Sequence, residues 1–290
     1  ATHSELKDEN QTVYFPEVTT TVRDSVTGDF IANPNQEVTL IDKVDYFNTV
    51  VGLEYQVKGV LIDKATGEPF KTADGEEVHG ESDVFTTTAH DGSVEVEYKF
   101  NGVDAEGKTL VVYEELYNNG KVVADHKDIK DEGQTVHFPS GQTSVKDSKT
   151  NAKIGLPSAK QTLIDTVDYQ NLLVGKEYTI KGVLMVKETK EPLKVNGKEV
   201  TSEKTFTAET SDGTVELEYE FDSSSLAGKT IVVFEDFYYN GINIYSHNNL
   251  EDKNQTFQYP TVDTEATYKG KHIVPANKEV TIVDRVSYIN

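Results

Sequence analysis

Cysteine is absent from this 290-residue chain, so no disulfide can staple it and no Cys-based zinc site is available. Covalent reinforcement would have to use other side chains. Basic residues are scarce: 28 Lys and Arg stand against 50 Asp and Glu, and the net charge of -22 repels phosphate backbones and anionic lipid. Nucleic acid is not an expected partner, and the acidity is read as an aid to solubility. No apolar run approaches the roughly 20 residues needed to cross a bilayer, so no membrane contact is expected of this segment. The opening ATHSELKDENQTV lacks the apolar core of a signal peptide, and the chain reads as an internal excerpt of something longer. Its 36% hydrophobic and 27% charged residues fit a folded protein, one of roughly two domains.

What is present is repetition. A histidine followed eight residues later by Gln-Thr occurs three times, as His3 to Gln11, His126 to Gln134 and His247 to Gln255. The chain also matches itself elsewhere: LIDKVDYFN (40-48) with LIDTVDYQN (163-171), DGSVEVEYKF (91-100) with DGTVELEYEF (212-221), and GKTLVVYEELYNNG (107-120) with GKTIVVFEDFYYNG (228-241). Two complete units therefore run over 17-139 and 140-260. Residues 1-16 repeat only the closing strand of a preceding unit, and 261-290 only the opening strands of a following one.

Val215, Leu217, Tyr219 and Phe221 alternate with Glu216, Glu218 and Glu220, the period of a strand with one buried and one wet face. Val94, Val96, Tyr98 and Phe100 do the same. Turn signals such as ATGEP and YNNG punctuate short strands, and no segment sustains a 3.6-residue period. The expected fold is all-β: tandem immunoglobulin-like antiparallel β-sandwich domains without the antibody disulfide, with a closed barrel as the alternative.

Comparing the copies isolates the polar residues that keep their place. Threonine recurs at Thr20, Thr143 and Thr264, and aspartate follows at Asp42, Asp165 and Asp284. Glu114 and Glu235 each stand 12 residues before His126 and His247. A threonine hydroxyl needs a base to take its proton, and histidine is the usual one near neutral pH. A glutamine carboxamide must be polarised and its nitrogen protonated before it leaves as ammonia. A buried neutral carboxyl can donate to the amide oxygen, while an ionised one orients the imidazole. Thr, His, Asp, Glu and Gln together suffice for one acyl transfer that makes a Thr-Gln ester.

The order TT, D-x-V-x-Y, V-x-F-E, H-x7-QT resembles the VaFE-type repeat of Gram-positive surface proteins, similar to adhesin stalk domains with intramolecular Thr-Gln ester cross-links. The resemblance covers nearly all of the chain. It implies a bond from Thr20 to Gln134 assisted by Asp42, Glu114 and His126, and one from Thr143 to Gln255 assisted by Asp165, Glu235 and His247. Unit 1 departs from the pattern with VVYE, and unit 2 with SHNNLEDKNQT around His247. The resemblance further implies an extracellular, cell wall-anchored protein whose anchor and ligand-binding tip lie outside this segment. Neighbouring repeats would be the direct partners. The chemistry would be single-turnover and in cis, so the chain is not expected to be an enzyme, and no cofactor or metal is expected. His3, Gln11, Thr264 and Asp284 form incomplete sites, expected to stay unbonded unless another chain supplies the missing parts.

Other readings compete. Asp42 and Asp165 could close turns, and Glu114 and Glu235 could be ordinary ion-pair partners. A ligand-binding adhesin module would show a large exposed aromatic patch or a pocket outside the repeat frame, with the mainly polar 71-83 and 194-204 the places to look. A Thr-His hydrolase would need an open cleft. A Lys-Asn isopeptide would need both residues to recur, whereas Lys127 is matched by Asn248 and Asn254 by Gly133.

Overall fold

The computed structural model describes residues 11-274, 276 and 279-289. Unit 1 is built from β1 (Glu17–Asp24), β2 (Glu37–Phe47), β3 (Glu54–Asp63), β4 (His79–Glu81), β5 (Phe85–Thr86), β6 (Gly92–Asn101), β7 (Thr109–Asn118), β8 (Lys121–His126) and β9 (Thr135–His137). One sheet has the order β1-β2-β6; the other runs β4-β3-β7-β8, with β5 on β3 and β9 on β7. Neighbouring strands are antiparallel.

Unit 2 repeats the plan with β10 (Ser140–Asp147), β11 (Gln161–Gln170), β12 (Glu177–Val186), β13 (Glu191–Pro192), β14 (Lys194–Val195), β15 (Lys198–Glu199), β16 (Thr201–Thr207), β17 (Gly213–Phe221), β18 (Thr230–Tyr239), β19 (Ile242–His247) and β20 (Thr256–Gln258). Its sheets are β10-β11-β17 and β13-β12-β18-β19, with β16 on β12 and β20 on β18. A last hairpin joins β21 (Thr261–Thr267) to β22 (Val283–Ile289). The chain is thus a tandem of antiparallel β-sandwiches of immunoglobulin-like type. No helix among the described residues is long and apolar enough to cross a membrane.

Strand alternation sets the core. Val22, Leu40, Val44, Val96 and Tyr98 from one sheet of unit 1 meet Val57, Leu61, Val112 and Leu116 from the other in one buried cluster. The residues at 71-83 and 194-204 fall in β4, β14, β15, the start of β16 and the turns around them; most are exposed or half-buried, while Val78 and Val200 turn into the cores of their units.

β1 and β8 are edge strands of opposite sheets. They come together along one side of the sandwich, where His126 at the end of β8 reaches the Val18 carbonyl of β1. The last strand, β9, is paired with β7 on this same side, and Gln134 just before it touches Thr20 of β1, so the first and last strands of the sandwich share one seam; β10 and β20 are placed alike in unit 2.

Candidate functional site

Three polar residues interrupt the apolar stripes of unit 1. Thr20 lies between Val18 and Val22 on the inner face of β1, Asp42 between Leu40 and Val44 on β2, and Glu114 between Val112 and Leu116 on β7. Asp42 and Glu114 have no exposed surface, and Thr20 only 6%. Asp42 is mid-strand, not a turn residue. The register puts Val22 opposite Asp42 and Val44 opposite Thr20, which makes Thr20 and Asp42 diagonal neighbours on one face. Gln134 completes the group from a short 3-10 helix, Glu132–Gln134, that precedes β9. Its buried amide Nε2 donates to Thr20 Oγ1 at 2.8 Å, bringing together residues 114 apart in sequence.

Burying two facing carboxyls decides their charge. Burial raises the Asp42 pKa to about 6, although the Glu114 carboxyl, the Thr20 hydroxyl, the Thr21 amide and the nearby His126 each pull it down. Burial and the Asp42 charge hold Glu114 well above the ordinary carboxylate range. No donor at full hydrogen-bond geometry reaches either Asp42 oxygen or Glu114 Oε2. A single proton on Glu114, shared toward an ionised Asp42, relieves that deficit and avoids two like charges in a dry core.

Tyr98, on the inner face of β6, donates its hydroxyl to Glu114 Oε1. This leaves Oε2 as the place for the acidic proton. The tyrosine reaches the glutamate only because residue 59 is glycine: a Cβ there would stand 1.9 Å from the Tyr98 hydroxyl and 2.5 Å from Glu114 Oε2. Gly59→Ala is accordingly expected to destabilise unit 1 by about 1–3 kcal/mol through overpacking. Urea unfolding checks this on chains whose Thr20 is replaced by alanine, and an unchanged midpoint would refute the packing argument.

His126 pairs with Glu114 across β7 and β8, but its ring nitrogens are engaged elsewhere. Nε2 lies 2.9 Å from Asp131 Oδ2, and Nδ1 lies 3.2 Å from the Val18 carbonyl. Both ring nitrogens of unit 1 are thus engaged away from Thr20, and the acceptor that the Thr20 hydroxyl has beside it is the Asp42 carboxyl. Asp131 orients the imidazole, and its other oxygen accepts the Gly133 amide at 2.7 Å, shaping the turn that presents Gln134. The threonine of the Gln-Thr pair has a local task too: Thr135 Oγ1 donates back to the Asp131 carbonyl at 2.7 Å.

Unit 2 reproduces this constellation. Thr143 is nearly buried, and Asp165, Glu235 and Gln255 are completely so. Burial again lifts Asp165 to about 6, and burial plus the Asp165 charge lifts Glu235 further. Here Gln255 Nε2 donates to Glu235 Oε2 at 2.5 Å, and Thr143 Oγ1 has no hydrogen-bond partner. His247 Nε2 faces Asp252 Oδ2 at 3.3 Å, and Asp252 Oδ1 accepts the Asn254 amide at 2.6 Å. Two sites with the same five residue types, their Asp, Glu and Gln side chains fully buried in a sandwich, decide what the repeat is.

The profile of a family described as "T-Q ester bond containing domain" matches residues 16–138 and 139–259. The chain belongs to this family. No curated protein sequence gives a significant match. Among solved structures, a Mobiluncus mulieris adhesin described as containing disulfide, isopeptide and ester bond cross-links is 15% identical, with 94% of this chain and 97% of that one covered at a TM-score of 0.36. The C-terminal domain of the Streptococcus agalactiae AgI/II polypeptide BspA is 11% identical, with 79% and 97% covered at a TM-score of 0.36.

Within the two T-Q domains, sequence comparison passed over three further residue types. Tyr98 and Tyr219 sit at one position of the matched EVEYKF and ELEYEF strands, Gly59 and Gly182 in VKGV and IKGV, and Asp131 and Asp252 five residues after each histidine. Position within the repeat was the available signal. The partial T-Q segments are open: Thr264 pairs with Val286 and Ala266 with Asp284, the register of Thr20 and Asp42, yet Thr264 and Asp284 are solvent-exposed. Gln11 is exposed as well, and His3 lies outside the described residues. Among the described residues, no group of three His, Cys, Asp or Glu side chains could hold a metal ion.

Proposed function

We propose that each complete unit closes one ester, Thr20 to Gln134 and Thr143 to Gln255, and that the units serve as covalently locked stalk segments of a cell-surface fibre. The carrying observation is the buried contact of the Thr20 hydroxyl with the Gln134 carboxamide, beside one carboxyl poised to ionise and another held neutral. Asp42 accepts the hydroxyl proton as Thr20 Oγ1 attacks Gln134 Cδ. The neutral Glu114 carboxyl donates to the developing oxyanion. The proton taken up by Asp42 passes to the amide nitrogen, the C–N bond breaks, and ammonia leaves. Atoms balance without water: hydroxyl plus carboxamide gives ester plus ammonia. His126, held by Asp131, favours the ionised Asp42 electrostatically.

Each nucleophile meets one electrophile supplied by its own chain, so the reaction runs once and the unit is not a turnover enzyme. The stalk, the cell-wall anchorage and a ligand at a distant tip rest on the family and on the tandem arrangement. The isopeptide rival has one contact in its favour, since Lys153 Nζ approaches Asn254 Oδ1 at 3.1 Å. That pair is exposed, and Phe30 and Gly133 occupy the matching positions of unit 1.

Intact mass tests the reading. The folded chain is expected to be lighter than its sequence by two ammonia molecules; Thr20→Ala and Thr143→Ala should each restore one, and the double variant both. A well-folded chain of full sequence mass would overturn it.

A further inference from the structure

The second site is not built by unit 2 alone. His247 is carried by β19, an edge strand whose outer side has no strand of its own sheet beside it. Residues of unit 1 fasten that side. Asn35 Oδ1 accepts the amide of Ser246, the residue before His247, at 2.7 Å. Asn33 Nδ2 donates to Asn243 Oδ1 at 2.8 Å, and Tyr245 donates its hydroxyl to Glu106 Oε1 at 2.9 Å. Ile31 of unit 1 is fully buried within the core cluster of unit 2. A cleft of about 490 Å³ at this junction is lined by Asn35 and Glu106 on one side and by Thr143, His247 and Asp252 on the other.

The clasp changes what the histidine touches. In unit 1, the Val18 carbonyl takes His126 Nδ1. Its counterpart in unit 2, the Gly141 carbonyl, is occupied by the Tyr245 hydroxyl at 3.1 Å, and His247 Nδ1 is buried without a partner. Glycine at 141 makes room for this ring: a Cβ there would meet Tyr245 at 3.1 Å and Phe237 at 3.0 Å. None of it is generic to the repeat. The places of Asn243, Tyr245 and Ser246 are held in unit 1 by Val122, Ala124 and Asp125, and those of Asn33, Asn35 and Glu106 are held in unit 2 by Leu156, Ser158 and Ala227. Both halves of the clasp occur only where they face each other.

We propose that unit 1 acts across the junction as part of the second cross-linking site: Asn35 and Glu106 are positioning residues that hold β19, the strand that carries His247, through Ser246 and Tyr245. The second bond then closes efficiently only when unit 1 is folded and docked. This rests on the ester reading of both sites. A misplacement of about 1 Å caused by a change away from the reacting atoms can cost up to roughly a hundredfold in rate, so a tenfold or larger effect is expected.

The test uses the full chain, isolated unreacted in urea from insoluble expression, refolded by dilution and sampled over time. Peptide mapping reads ammonia loss at Gln134 and Gln255 separately. In N35A/E106A, closure at Gln255 should slow about tenfold or more while closure at Gln134 keeps its wild-type rate. N35D/E106Q keeps both acceptor oxygens and should restore the Gln255 rate. The ¹⁵N signals of His247 in Thr143→Ala chains give a second readout: they should shift when N35A and E106A are added and return to their original positions with N35D/E106Q. Equal rates at Gln255 in wild type and N35A/E106A would overturn the proposal, as would equal slowing at both sites. Absence of closure at either site in the wild type would instead overturn the ester reading beneath it.

Discussion

Thr20→Ala is expected to lower the thermal midpoint of unit 1 by about 15 °C while leaving that of unit 2 within a few degrees. The ester would close a loop of 114 residues, and a cross-link over about 100 residues stabilises by on the order of 4–5 kcal/mol through the unfolded state. For a unit of this size each kcal/mol moves the midpoint by about 3–5 °C. The substitution itself removes one hydroxyl and one methyl group, so most of the change belongs to the bond. Scanning calorimetry should resolve two transitions with only the first displaced. Thr20→Ser keeps the nucleophile and should keep the higher midpoint. A shift under 5 °C in a chain shown by mass to lack the first bond would remove stabilisation from the role of the cross-link.

Asp42→Asn should slow closure at Gln134 by at least about a hundredfold, the usual scale for losing a general base. The wild-type rate should fall as pH drops below about 6, where Asp42 gains its proton. Stability of the unlinked unit runs the other way. The Asp42 pKa is raised by folding from an ordinary value of about 4, so its neutral form is favoured in the fold. That contribution is complete below about pH 4 and is lost as pH rises through 6. Thr20→Ala chains should therefore unfold at higher urea at pH 4.5 than at pH 7.5, and adding Asp42→Asn should flatten this difference. Stability of Thr20→Ala that rises over the same interval would show that Asp42 does not titrate as its burial requires.

The parts of the site legible in the sequence were those that break a pattern twice. Asp42 and Glu114 are carboxylates where β-alternation calls for apolar residues, and Asp165 and Glu235 break it again at the same positions. The alternation of 94-100 and 215-221 likewise marked β6 and β17. Tyr98 was hidden by its own chemistry: an inward tyrosine satisfies the alternation, and only packing shows its hydroxyl on Glu114. Asp131 was hidden by abundance, one acid among 50, its role set by a turn that no periodicity reports. The junction was illegible for another reason. Asn35 and Ser246 are 211 residues apart, occur in one copy each, and meet only when both sandwiches are placed.

The seam shared by the first and last strands of each sandwich makes the linked protein a string of closed rings rather than a line. With both esters formed, a protease that cuts once between Thr20 and Gln134 opens the ring without parting the chain, because the two fragments stay joined through the side chains. Severance by a single cut is confined to the stretches outside the rings. Between the two rings that stretch is the eight residues 135–142, and much of it is occupied by β9 and the start of β10. Pulled straight, the whole stretch spans only about 30 Å, and most of that length is already extended as strand.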